Sequence, residues 1–173
     1  GLAANPALAA DPSRRVVIEY EDTAGGQLLS SSAFVAYRHS VHLWELGKPA
    51  SLPVREMAEE GSPEWVLGTA VFSDGKDFGD AAVAPPVAPG QRRKVELTVT
   101  ASHPEVSGVF MLGQTNDGFA GVDAIDAYRL TAPKTVEVFA LDAGTSKNIE
   151  DKAHLRAFEG FGREAEGGVV APH

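Results

Sequence analysis

Apolar side chains in this chain recur mostly in twos, and that period restricts its fold more than any other feature. Arg93 to Thr100 (RKVELTVT) alternates Val95, Leu97 and Val99 with Lys94, Glu96 and Thr98. Successive side chains of a strand point to opposite faces, so this is a half-buried strand. Arg14 to Tyr20 (RRVVIEY) is short and β-branched and predicts another, followed by an acidic, glycine-containing turn over 21–26. Val106 to Leu112 (VSGVFML) is almost wholly apolar, as a strand covered on both faces would be. Gln27 to Tyr37 (QLLSSSAFVAY) predicts a strand with an irregular middle, perturbed at its serines. Ala120–Leu130 and Thr135–Leu141 are further strand-like runs, and Gly167-Gly168-Val169-Val170 predicts a last short strand.

One segment breaks the pattern. Val54, Met57 and Ala58 stand at i, i+3 and i+4, with Pro53 in the first turn and Gly61 just past the end. Those are start and stop signals for a short helix over 52–60. Pro63 to Val71 (PEWVLGTAV) fits a helical turn or a strand equally. Asp74 to Gly90, with Pro85, Pro86 and Pro89, is expected to be a long loop. There is no internal repeat and no alternation of strands with helices. The chain is therefore expected to be all-β, an antiparallel β-sandwich with one or two short helices.

The 173 residues suffice for one domain with a real core. With no cysteine, disulfides, thiolate metal sites, iron–sulfur clusters and cysteine nucleophiles are excluded. A net charge of −9 without a basic stretch argues against nucleic acid or an anionic lipid surface as a partner. Charged residues and prolines interrupt every apolar run well before the ~18 residues of a membrane span. Residues 1–10 (GLAANPALAA) resemble the small-residue tail of a secretory signal, so residues 1–13 are expected to be a flexible leader, a signal remnant or an appended segment, ahead of a domain over 14–173.

Two polar loops carry the chemistry. Gln114-Thr115-Asn116-Asp117-Gly118-Phe119 joins two predicted strands, and Leu141 to Asp151 begins as another ends, presenting Asp142, Thr145, Asn148 and Glu150. Asn-Asp-Gly is good turn chemistry with or without a ligand. If both loops lie at one end of a sandwich, Asp117 and Asp142 converge, and their oxygens suit Ca²⁺, a hard cation with six to eight oxygen ligands. Asp123 and Asp126, three apart in a strand, point to opposite faces, one of them able to join the metal loop. His39 and His42 are also three apart. On a helical face that step could seat Zn²⁺ or Cu²⁺; the plainer reading is one histidine hydrogen-bonded in a loop and the other exposed. No Gly-x-Ser-x-Gly elbow, phosphate loop or dinucleotide glycine pattern is present.

Taken together, the segments resemble a known family. Leu43-Trp44-Glu45-Leu46-Gly47-Lys48-Pro49-Ala50-Ser51 followed by Val54 to Gly61 (VREMAEEG) is similar to the start of the spondin N-terminal domain. Thr115-Asn116-Asp117-Gly118-Phe119-Ala120-Gly121-Val122-Asp123 resembles its loop-then-strand, and Asp142-Ala143-Gly144-Thr145 its Asp-Ala-Gly-Thr signature. Asn148 and Glu150 match the form of its bacterial stand-alone members. The resemblance covers residues 30–173 and implies an antiparallel β-sandwich with a Ca²⁺ site at one end. By motif, Asp117 and Asp142 are the implied ligands, completed by backbone carbonyls, with Asn148 and Glu150 as further candidates. The chain departs from the animal members in lacking cysteine and in carrying Gly118 where they have an aromatic residue.

The resemblance implies a secreted or periplasmic, non-enzymatic module that binds an extracellular protein or glycan, in cell adhesion for example. A metal-dependent enzyme built on His39 and His42, and a periplasmic protein capturing a small ligand, are the alternatives.

Overall fold

A computed structural model describes residues 10–72, 76–149, 151–155, 162 and 164–173. Its described elements are β1 (Ser13–Glu21), β2 (Ser32–Tyr37), α1 (Leu52–Glu60), α2 (Glu64–Phe72), β3 (Phe78–Ala84), β4 (Arg92–Thr100), β5 (Glu105–Met111), β6 (Gly118–Asp126), β7 (Leu141–Asp142), a 3₁₀ turn (Lys152–His154) and β8 (Ala171–Pro172). They form a six-stranded sheet of order β3-β2-β5-β6-β7-β8 and a two-stranded sheet of β1 and β4. Every pairing is antiparallel. The all-β reading, with two short helices, is the observed fold.

The large sheet is covered on both faces. On one, Phe34, Ala36 and Val106 pack against Val95, Leu97 and Val99 of β4, with Val16 and Ile18 of β1 at the margin. On the other, Ala33, Val35, Val109 and Phe119 pack under Val54, Met57 and Ala58 of α1 and Val66 of α2. Trp44 stands edge-on to Phe119, ring centres 5.6 Å apart. Burial on both sides explains why all six residues of β2 are buried and why β5 reads as a continuous apolar run. The exposed sides of β1 and β4 carry charge instead, and there Arg92 pairs with Glu21 at 2.7 Å and Lys94 with Glu19 at 2.9 Å.

α1 begins after Ser51 with Pro53 in its first turn, and ends at Gly61, whose φ of 64° is left-handed and whose N–H closes on the Met57 carbonyl. A Cβ at Gly61 would also stand 2.9 Å from the Ser30 Cβ. Gly61→Ala is expected to cost about 1–2 kcal/mol, read as a fall in Tm, because an L side chain resists this conformation.

Three expectations are corrected. Residues 78–84 form β3, inside the segment read as a long loop; the strand is held by β2 and by Asp80, whose Oδ2 accepts the Thr98 N–H of β4 at 2.6 Å. Thr135–Leu141 is strand only at Leu141. Residues 131–140 pair with no strand among the described residues, and Val136, Val138 and Phe139 are exposed. The last strand is Ala171–Pro172, just beyond 167–170, where Val170 instead ties its backbone to Gly47 and Lys48. At the other end the chain is in place from Asp11 onward: Asp11 Oδ2 accepts the Ser102 hydroxyl, the Pro12 carbonyl accepts the Ala101 N–H, and pairing with β4 starts at Ser13. Residues 1–9 lie outside the described residues.

Candidate metal centre

The β5–β6 loop is built on its own side chains. Thr115 Oγ1 donates to the Leu112 carbonyl at 2.7 Å and accepts the Gly118 N–H at 2.9 Å. That closes a tight turn with Asp117 at its end, directed into the protein and fully buried. β6 then pairs with β7 so that Gly118 lies opposite Asp142, and the Ala143 N–H binds the Asp117 carbonyl at 3.1 Å. Sheet order therefore places the two acidic loops side by side.

Asp117 is the hub. Its Oδ2 accepts the Thr145 N–H at 2.7 Å, the Ser146 N–H at 2.9 Å and the Thr145 hydroxyl at 3.2 Å. Its Oδ1 is buried with no partner among the described residues. Burial pushes the Asp117 carboxyl above its ordinary value; the charge of Asp142 adds to this, and the Ser146 and Thr145 donors oppose it. Asp142 Oδ1 accepts the Gly144 N–H at 2.6 Å and its Oδ2 the Asn148 amide at 2.8 Å, while His173 Nδ1 lies 3.8 Å away. Gly144 has φ 67°, and a Cβ there would meet the Val169 nitrogen at 2.5 Å, so glycine is required in the Asp-Ala-Gly-Thr turn.

Asp117 and Asp142 thus stand on adjoining loops, and the Asn148 amide bonds Asp142. Glu150 lies outside the described residues. Asn116, which no metal or catalytic motif marks, joins the two loops: its Oδ1 accepts the Ile149 N–H at 2.9 Å and its Nδ2 donates to the His154 carbonyl at 3.2 Å. Its one sequence signal is its place beside Asp117. Asn116, Asn148, Lys152 and His173 also line an open cavity of about 420 Å³ beside the loops.

The donor set fits a hard cation in one respect above all: a buried carboxylate oxygen with no hydrogen-bond donor, close to a second carboxylate. No group of three or more His, Cys, Asp or Glu that could hold a metal occurs among the described residues. A cation here would rest on Asp117 and Asp142, with neutral oxygens completing its shell.

Asp123 lies elsewhere. A bulge sets two residues of β6, Asp123 and Ala124, against Ser107 alone, and Ala124 has φ 55°. The bulge turns Asp123 onto Ser107 (2.5 Å), Tyr37 (3.1 Å), the Leu43 N–H (3.2 Å) and His42 (2.6 Å). It does not join the two acidic loops, and Asp126 pairs with Arg129 instead. Neither histidine is helical or unpaired: His39 Nδ1 meets Glu105 at 2.5 Å. Ser107, fully buried, bonds the carboxylate and not the imidazole, so no nucleophilic triad is formed.

The Asp123 hydrogen bond raises the His42 imidazole above 6.5, with partial burial opposing and Glu45 and Glu105 assisting. A raised histidine stabilises the fold below its unfolded value, and the contribution is lost as pH rises through its folded value. In an NMR titration His42 is expected to titrate above 6.5 and to move down in Asp123→Asn. An unshifted His42 would dissolve the pair.

No helix among the described residues is long and apolar enough to cross a membrane. A comparison with the curated proteins finds no match to the chain. The family model Spondin_N matches residues 27–154, more than half the chain, from the irregular stretch before β2 through the Asp142 loop. The matched span takes in β2 to β7, both helices and the buried Asp117 hub, and on that ground the chain belongs to the Spondin_N family.

Proposed function

We propose that this chain is an exported, non-enzymatic binding module whose Asp117 and Asp142 loops are clamped by Ca²⁺. Its family is that of an extracellular-type binding domain, which supports the class. The observation that carries the cation is the partnerless buried Oδ1 of Asp117. Leaving an ionised oxygen buried and unpaired is costly, and a hard cation would compensate it. Asp117 and Asp142 would supply the charged oxygens, with Asn148 and Glu150 as further donors. The ion would neutralise the repulsion between the two carboxylates and tie the β5–β6 loop to the segment after β7. The partner is an extracellular protein or a glycan, as in adhesion.

The test is a melting curve in EDTA and in excess Ca²⁺. Binding to the native state alone raises stability by mass action, about 2.7 kcal/mol at a hundredfold excess over Kd. A Tm that rises with Ca²⁺ but not with Mg²⁺ supports the clamp. An identical Tm in EDTA and Ca²⁺ removes it.

A further inference from the structure

A second group of charged side chains lies away from the acidic loops, where β2 runs into the turn at residues 38–42. Arg38 to Val41 close a turn through the Val41 N–H and the Arg38 carbonyl at 3.3 Å, and Ser40 within it has φ 67°. A non-glycine residue in that region is uncommon and marks a turn held by its surroundings. What holds it is a pair of histidine–carboxylate contacts. His39 Nδ1 meets Glu105 Oε1 at 2.5 Å, and His42 Nδ1 meets Asp123 Oδ2 at 2.6 Å.

The carboxylates are placed by the sheet. Glu105 and Ser107 are two apart on β5 and share a face, about 7 Å apart by strand rise. Asp123 is bonded to Ser107 from the neighbouring strand. The two rings therefore stand over one corner of one sheet face. Both carboxylates are largely buried, while the rings are 52% and 37% exposed. Each ring makes its contact through Nδ1, leaving Nε2 with no protein partner among the described residues. This is how proteins prepare metal-binding imidazoles: a carboxylate on one nitrogen fixes the tautomer and makes the other a better ligand.

Charge selects the occupant. Glu45 and Glu105 act on His42 in addition to Asp123, so His42 sits in a negative field. Glu105 Oε2 is moreover buried with no partner among the described residues. An anion would be repelled here, and nitrogen donors are a poor match for Ca²⁺.

We propose that His39 and His42 form a surface site for a divalent transition ion, in which Glu105 and Asp123 orient the rings through Nδ1 and the two Nε2 atoms ligate. Cu²⁺ binds most tightly of the common ions and Zn²⁺ less so, as imidazole sites generally rank them. The site is independent of the acidic loops, and its donors give the protein two metal specificities at two places.

The experiment titrates Cu²⁺ into untagged protein held in excess Ca²⁺, following heat and the electron paramagnetic resonance spectrum. One equivalent is expected, with hyperfine structure from two nitrogens. His39→Ala and His42→Ala should each weaken binding at least tenfold, and the double variant should abolish this class of site. Each variant also frees a largely buried carboxylate, so a modest fall in Tm is expected in EDTA, and binding is compared on protein shown to be folded by circular dichroism. Glu105→Gln should weaken binding several-fold while keeping the two-nitrogen spectrum, as expected of a positioning residue. The proposal is overturned by a double variant that binds Cu²⁺ like the wild type, by either single variant without effect, or by a wild-type spectrum lacking nitrogen coupling.

Discussion

Asp117→Ala is expected to abolish any Ca²⁺-dependent rise in Tm and to cost about 2–4 kcal/mol in metal-free protein. The two losses have different origins. Oδ2 satisfies the Thr145 and Ser146 N–H groups and the Thr145 hydroxyl. Removing it leaves buried donors unpaired, at about 1–3 kcal/mol each, partly offset by relief of the buried charge. Oδ1 satisfies nothing among the described residues, so its removal is expected to show only when a cation is supplied. Asp117→Asn separates the roles. It keeps an acceptor for residues 145 and 146, should lose less metal-free stability than alanine, and should still lose the Ca²⁺ response. Asp142→Ala should also lose that response, at smaller structural cost, because its bonds to Gly144 and Asn148 are local. Asp80→Ala is the control. It releases the Thr98 N–H and lowers Tm, but it should leave the Ca²⁺ shift intact. A Ca²⁺ shift that survives in Asp117→Asn would sink the site, whatever alanine does.

The largest effect on folding is expected at Gly121. It lies opposite Val109 in the middle of the β5–β6 ladder, and a Cβ there would overlap the carbonyl oxygen of Gly108. The obstacle is backbone on a central strand pair, with no flexible side chain to move aside. Overpacking of a core costs about 1–3 kcal/mol and more when the backbone must shift. Gly121→Ala is therefore expected to lose 3 kcal/mol or more, about the upper end of single-substitution effects, or to fail to fold. Gly25→Ala, where an added Cβ meets nothing within 4 Å, should stay within about 0.5 kcal/mol. Denaturant unfolding of the two variants checks the contrast; similar midpoints would mean that the strands can separate to admit a methyl group. Gly108 repeats the theme from the other side, since the Phe34 ring of β2 lies across it.

What was legible in the sequence is what local physics controls. α1 could be read to its boundaries because Pro53, the apolar spacing of Val54, Met57 and Ala58, and Gly61 act within one segment. β4 could be read because one of its faces meets the core and the other meets water. The two acidic turns could be read because Asn-Asp-Gly and Asp-Ala-Gly-Thr are turn chemistry following strands.

Two of the errors have one cause. Phe78–Ala84 (FGDAAVA) has little strand propensity, and it is a strand because β2 offers a ladder and Asp80 reaches Thr98. Thr135–Leu141 has strong propensity and mostly lacks a ladder. Strand propensity measures fit to a partnered, half-buried surface, and only tertiary structure supplies the partner.

The same division runs through both candidate sites. Sequence alone determined that Asp117 and Asp142 follow strands, that cysteine chemistry is excluded, and that His39 and His42 stand three apart. Only the tertiary structure decided which carboxylates meet which partners. The order β5-β6-β7 set the Asp117 loop beside Asp142, with one buried oxygen of Asp117 unpaired among the described residues. A single-residue bulge at Ala124 turned Asp123 away from that site and onto His42. Such contacts join residues dozens of positions apart, and a change of one residue in strand register would reassign them, so no local pattern can encode them.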